Sequence, residues 1–154
     1  MTQQLTIPEF WSHVVELHYT RPLFTSMYHI KNSEDANDVL RTFINNKQLD
    51  LRECFWIILM TNANRVLAVS EVAQGTSKGV QTNIKYIFQL ALLVNASALI
   101  LAHVHPSGNL NFSKTDISET KKIQRLAKVM DITLLDHLVI TSESYTSMVQ
   151  EDIL

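Results

Sequence analysis

The chain has 154 residues, the size of one ordinary domain and enough to bury roughly two thirds of its unfolded surface without disulfides. Apolar residues make up 46% and charged residues 18%, which excludes a disordered or collagen-like chain, and the single cysteine excludes an intrachain disulfide framework and any zinc site built from two thiolates. Thirteen Lys and Arg against fifteen Asp and Glu leave a net charge of −2, which supplies no global field for gathering nucleic-acid phosphates.

The first residues lack a basic stretch followed by an apolar one, so no secretory signal is expected and a cytoplasmic setting is the default. Phe10, Trp11, Val14, Val15 and His18 recur at helical spacing, and Pro8 suits a first turn, predicting an amphipathic helix over 8–19. Ser33 is a suitable N-cap for a second helix, with Glu34 and Asp35 in its first turn and Ala36, Val39, Leu40, Phe43 and Ile44 forming its apolar stripe.

Residues 53–60 form a nearly continuous apolar run and 66–73 are rich in Val and Ala. The polar stretch 61–65 between them predicts a strand hairpin whose first strand is buried. The run 54–60 is also far too short to cross a bilayer. From Asn83 to Asn95 a helical face carries Ile84, Ile87, Phe88, Ala91 and Leu92. Residues 98–104 form a buried strand stopped by Pro106 and Gly108. Ser113 opens another helix, with Ile117, Ile123, Leu126, Ala127 and Met130 along one side. Residues 134–140 return as a strand, and the tail from Ser144 offers an edge strand.

This order of elements predicts a mixed α/β fold, a sheet sandwiched by helices. The glycine pair Gly75 and Gly79 lacks the G-x-G-x-x-G spacing, so a doubly wound dinucleotide fold is not supported.

Chemistry concentrates in Ala102-His103-Val104-His105-Pro106-Ser107-Gly108. Side chains two apart share a strand face, so both imidazoles can converge on one ion while Pro106 stops the strand and Gly108 turns the chain away. Eight residues after His105, Ser113-Lys114-Thr115-Asp116 begins a helix and offers a carboxylate as third ligand. Ser113 and Asp116 taken alone read as an N-cap and an acidic first turn. Two His and one carboxylate leave a fourth tetrahedral position open. A hydrolytic site of this kind also needs a base for the attacking water. Two glutamates qualify: Glu53 at the mouth of the buried strand and Glu71 on its hairpin partner. Asp136-His137 reads either as a pair orienting a ligand or as a polar pair at a strand edge.

The pattern H-x-H-P followed by S-x-x-D resembles the JAMM metalloprotease motif, filled here by His103, His105, Pro106, Ser113 and Asp116. The longer phrase A-H-V-H-P-S-G-N, the stretch Leu135 to Ile140 and Gln74-Gly75-Thr76 are closer still to the bacterial RadC-like subfamily. The resemblance implies a cytidine-deaminase-like mixed sheet of JAB/MPN type over residues 33–154, and the helical spacing ahead of it makes residues 1–32 a helical extension. It implies Zn2+ on His103, His105 and Asp116, Ser113 as a hydrogen-bond donor to the oxyanion, and Glu53 rather than Glu71 as general base. Val104 stands where the subfamily commonly has Asn, and Lys85 where Arg is usual. Neither is a ligand.

The function these features imply is zinc-dependent hydrolysis of a peptide or isopeptide bond in a peptide or protein substrate. The alternative is a binding module associated with DNA repair, its metal site non-catalytic, which the acidic balance does not support.

Overall fold

The computed structural model describes residues 15–154. Its elements in chain order are α1 (Ser33–Phe43), β1 (Cys54–Met60), β2 (Val66–Gln74), α2 (Ile84–Leu93), β3 (Ala98–Val104), α3 (Lys114–Val129), β4 (Thr133–Ile140) and β5 (Tyr145–Ser147). Short 3₁₀ turns at Phe24–Ser26 and Asn46–Gln48 complete it. The expected helix over 8–19 falls in part outside the described residues, and residues 15–19 are not helical. Residues 27–30 lie against the hairpin instead, through Val66 N–H to Tyr28 O and Ile30 N–H to Asn64 O.

The five strands form one mixed sheet in the order β2-β1-β3-β4-β5. β1 runs antiparallel to β2 and β3, β3 pairs parallel with β4 through the α3 crossover, and β5 closes the far edge antiparallel. This is the mixed α/β architecture expected from the sequence, one sheet with helices on both faces. No helix among the described residues is long and apolar enough to cross a membrane.

Alternation along the strands sorts side chains to two cores. Phe55, Ile57, Leu59, Leu99 and Leu101 meet Ile87, Phe88 and Ala91 of α2 and Ile123 and Ala127 of α3. Ile58, Met60, Ile100, Ala102, Leu138 and Ile140 meet Ala36, Val39, Leu40 and Ile44 of α1 on the opposite face. Each fully buried Leu or Ile here contributes about 1.5–3 kcal/mol relative to an exposed position. α2 and α3 each end at a residue in the left-handed conformation, Asn95 and Asp131, which suit it better than other non-glycine types.

A bulge sets the phase of β4. Leu99 pairs with Leu134 but Ile100 pairs with Asp136, so Leu135 is the extra residue. Leu134 belongs to the core under α2 and α3, whereas Leu138 and Ile140 belong to the core under α1. The switch sends Asp136 toward α1 and His137 toward α3. β4 is flanked by β3 and β5, so Asp136-His137 is not a strand-edge pair, and both residues are buried.

Asp136 fastens three elements. Its Oδ1 accepts from the N–H groups of His137 (2.7 Å) and Val149 (3.2 Å), and its Oδ2 accepts from the hydroxyls of Ser33 (2.8 Å) and Ser147 (2.6 Å). Ser33 is therefore not the N-cap of α1. Asn32 caps it by accepting from Asp35 N–H, which leaves the Ser33 hydroxyl free to reach across to β4. Substituting Asp136 by Ala strands four donors around a buried site, and we expect a loss of about 3–5 kcal/mol by analogy with breaking a buried charged pair. Urea unfolding of the Asp136→Ala chain checks this, and a loss under about 1 kcal/mol would contradict it.

Candidate metal centre

β3 stays apolar through Ala102 and carries His103, only 2% exposed, as its last residue but one, with half-buried His105 two residues beyond on the same side. Pro106 follows at once, and Gly108, at φ +79°, turns the chain so that its N–H donates to His105 O at 3.2 Å. The turn brings the Asn109 carbonyl back to the His105 ring, 2.6 Å from Nδ1.

α3 begins where this loop ends. Ser113 is the N-cap and forms a capping box: its Oγ accepts from Asp116 N–H (3.0 Å), and its own N–H donates to Asp116 Oδ2 (2.7 Å). Capping occupies one oxygen of Asp116, and the other, Oδ1, lies 3.6 Å from His103 Nε2. The cap and ligand roles weighed for this carboxylate thus fall on different oxygens. Burial raises the Asp116 carboxyl, but His103 and the Ser113 hydrogen bonds outweigh it and hold the group well below the usual carboxylate range.

His103, His105 and Asp116 offer ligand atoms that all lie within 4.8 Å of one another. Their protonation pattern follows from two backbone carbonyls, which can only accept. The Thr120 hydroxyl donates to Asp116 O at 2.6 Å, so it must accept from His137 Nδ1–H, also at 2.6 Å. His137 Nε2 then carries a lone pair and accepts from His103 Nδ1–H at 2.8 Å. On the loop side His105 Nδ1–H donates to Asn109 O. Both Nε2 atoms are left with lone pairs, and they point at each other across 2.7 Å. Two nitrogen lone pairs and a carboxylate oxygen facing one point repel unless a cation sits among them.

The arrangement fits zinc. Ligands about 2.0–2.1 Å from a tetrahedral ion lie about 3.3 Å apart, close to the 3.6 Å between His103 Nε2 and Asp116 Oδ1. The 2.7 Å between imidazoles would open by about 0.6 Å to hold the ion.

Phe55 and Phe112 wall the imidazoles in. The Phe55 ring lies parallel to His103 with centroids 6.1 Å apart, and Phe55 and Phe112 meet His137 edge-on at 5.5 and 5.9 Å. Burial, reinforced by the neighbouring His103, pushes His137 well below the usual imidazole value and keeps the ring neutral.

His103 and Asp116 open into a cleft of about 380 Å³ lined also by Glu53, Phe55, Thr82, Thr115 and Glu119. Glu53 immediately precedes β1, two residues before Phe55, which pairs with His103. Continuing that register by two residues sets Glu53 opposite His105. Glu71 instead pairs with Trp56 and borders a small cavity on the α1 side with Gln48, Arg52 and Cys54. The two candidate bases therefore lie on opposite faces of the sheet. Ser113 is exposed at the helix start, and its hydroxyl hydrogen is given to no acceptor among the described residues. Cys54 is buried, and burial together with Glu71 pushes its thiol up, making it unreactive.

The sequence leaves His137 open to two readings and gives little reason to single out Thr120. Its only signal is position, one helical turn after Asp116, where a hydroxyl can reach the carbonyl four residues back.

A family model described as the RadC-like JAB domain matches residues 30–153. The chain is similar to a UPF0758 protein of Flavobacterium johnsoniae, 36% identical over 124 residues, which are 80% of this chain and 53% of that protein. A UPF0758 protein of Pasteurella multocida is 38% identical over 124 residues, 80% of this chain and 54% of its own. The chain spans about half the length of the curated relatives it matches.

Protons and a metal ion compete for the same Nε2 lone pairs, whereas the depressed Asp116 carboxyl stays ionised well into acid. The depressed Asp116 carboxyl should therefore contribute nothing to the pH dependence of zinc affinity between about pH 7 and pH 5. Titration calorimetry across that range should show Asp116→Asn binding zinc more weakly but with the same pH dependence. A pH dependence abolished by Asp116→Asn would refute the assignment.

Proposed function

The chain belongs to the RadC-like JAB domain family, and on that premise we propose that it is a zinc-dependent hydrolase of a peptide or isopeptide bond. The observation that carries this reading is the convergence of two imidazole lone pairs and Asp116 Oδ1 on one side of a cleft that also holds Glu53. Zinc held there would supply Lewis acidity and lower the pKa of a water toward about 7.

The side chains divide the remaining work. Glu53, half buried across the cleft from His103, takes the proton of the attacking water and passes it to the leaving amine. The Ser113 hydroxyl, which accepts from Asp116 N–H, keeps its hydrogen for the developing oxyanion. Phe55 and Phe112 keep water from the buried side of the imidazoles, so exchange with solvent proceeds through the cleft.

Replacing Glu53 by Gln should preserve zinc content and lower turnover by about 10²–10⁴-fold, the range for a lost general base. Glu71→Gln, on the other face, should leave turnover unchanged. The assay incubates each zinc-loaded chain with a pooled peptide library and an isopeptide-linked lysine substrate, scoring new termini by mass spectrometry. Full turnover by Glu53→Gln would remove Glu53 from the reaction.

A second reading, nucleic-acid binding, draws on Lys121, Arg125 and Lys128, exposed and spaced by four and three residues along α3 as one basic stripe. Three phosphate contacts would give a log–log salt slope of about −2.7 on duplex DNA. Fluorescence anisotropy measures it, and no binding at low salt dismisses this reading.

A further inference from the structure

We infer that His137 and Thr120 are positioning residues, a buried relay through which the backbone of one ligand, Asp116, fixes the tautomer of another, His103. The inference rests on the metal reading above, and it concerns groups that cannot themselves be ligands. His137 has both ring nitrogens engaged, Nε2 with His103 and Nδ1 with Thr120, and its ring is buried behind His103.

The hydrogen bonds form a closed loop. Asp116 O accepts from Thr120, Thr120 Oγ accepts from His137, and His137 Nε2 accepts from His103. His103 Nε2 then faces Asp116 Oδ1 across the site at 3.6 Å. Every link has one direction because the first acceptor is a carbonyl. Neutral imidazole has two tautomers, and only the one protonated at Nδ1 leaves His103 Nε2 able to bind a metal. Without the relay, no other group among the described residues would hold its proton on the Nδ1 side.

The loop also ties the metal geometry to the fold. Thr120 is the fourth residue after Asp116 on α3, and His137 is on β4, brought to this face by the bulge at Leu135. A helix start, a strand interior and a strand end are thereby held in one register by three hydrogen bonds of 2.6–2.8 Å.

Two measurements test the relay. Long-range proton–nitrogen NMR on the metal-free chain reads the His137 tautomer directly. We expect Nδ1–H with an unprotonated Nε2 in the unsubstituted chain, and a loss of that fixed state in Thr120→Val. An Nε2–H tautomer for His137 would overturn the inference. Zinc affinity by chelator competition should fall about 10–100-fold in His137→Phe, the usual range for losing a partner behind a ligand. His137→Gln should bind within a few-fold of the original, because its side-chain carbonyl can accept where Nε2 did. A purely structural role would not make Gln the better replacement for a buried aromatic ring. Zinc binding unchanged in His137→Phe, or equal losses in the Phe and Gln variants, would also overturn it. If His137→Phe does not fold, Thr120→Val and His137→Gln decide the question. Failure of the unsubstituted chain to bind zinc would instead refute the metal reading, and the tautomer measurement would still decide the relay.

Discussion

Two backbone carbonyls govern the chemistry of this domain. A carbonyl oxygen has no proton to give, so the Thr120 hydroxyl on Asp116 O and the His105 ring on Asn109 O each have a forced direction. From those two points the polarity runs through His137 to His103 and ends with three lone-pair groups facing one another. In the interior an unpaired charge or lone pair is costly, and His137 cannot relieve the strain by taking a proton because burial disfavours its charged form. A cation at the convergence point would relieve that repulsion.

The fold supplies the geometry by ordinary means. β3 is a central strand buried on both faces, and α3 carries the chain from its end back to the start of parallel β4. The crossover puts the N-terminus of α3 beside the carboxyl end of β3, the general location of sites in parallel α/β units. The Leu135 bulge then divides labour on β4. Asp136 turns to α1 and ties Ser33, Ser147 and Val149 together, while its neighbour His137 turns to the metal side. Were the same residues paired without the bulge, strict alternation from Leu134 would exchange the two faces, burying a histidine against α1 and leaving His103 without its acceptor.

Periodicity made the elements themselves legible. The hairpin, the three helices within residues 33–130 and the buried strand ending in histidines lie where the pattern of apolar residues and breakers puts them. H-x-H and S-x-x-D likewise named His103, His105, Ser113 and Asp116 because i, i+2 on a strand and Ncap, N3 on a helix are local geometries. What the pattern could not carry was anything set by pairing. Asp136-His137 looks the same in sequence whether β4 is an edge or interior, since that depends on β5 pairing beyond it. The bulge leaves no glycine or proline behind. Thr120 is an unremarkable helical threonine until His137 is known to lie against it. Ser33 and Asn32 are both good caps, and only the tertiary pull of Asp136 on the Ser33 hydroxyl assigns the cap to Asn32. Which sheet face Glu53 and Glu71 each occupy is likewise set by pairing, with a one-residue irregularity between Phe55 and Trp56 intervening.

The two imidazoles are not held alike, and the difference bears on how the site would take up an ion. His103 is fixed on all sides, by its strand, by His137 behind it and by the parallel Phe55 ring. Asp116 is fixed by the capping box and by the helix it starts. His105 has left the strand and hangs on a loop whose carbonyl it meets at Asn109, with Gly108 at φ +79° between them. Opening the 2.7 Å gap between the Nε2 atoms by about 0.6 Å must therefore come from His105 and its loop. The core pins His103 and Asp116, which would set the direction of the site, and the loop carries His105, which would adjust its distance.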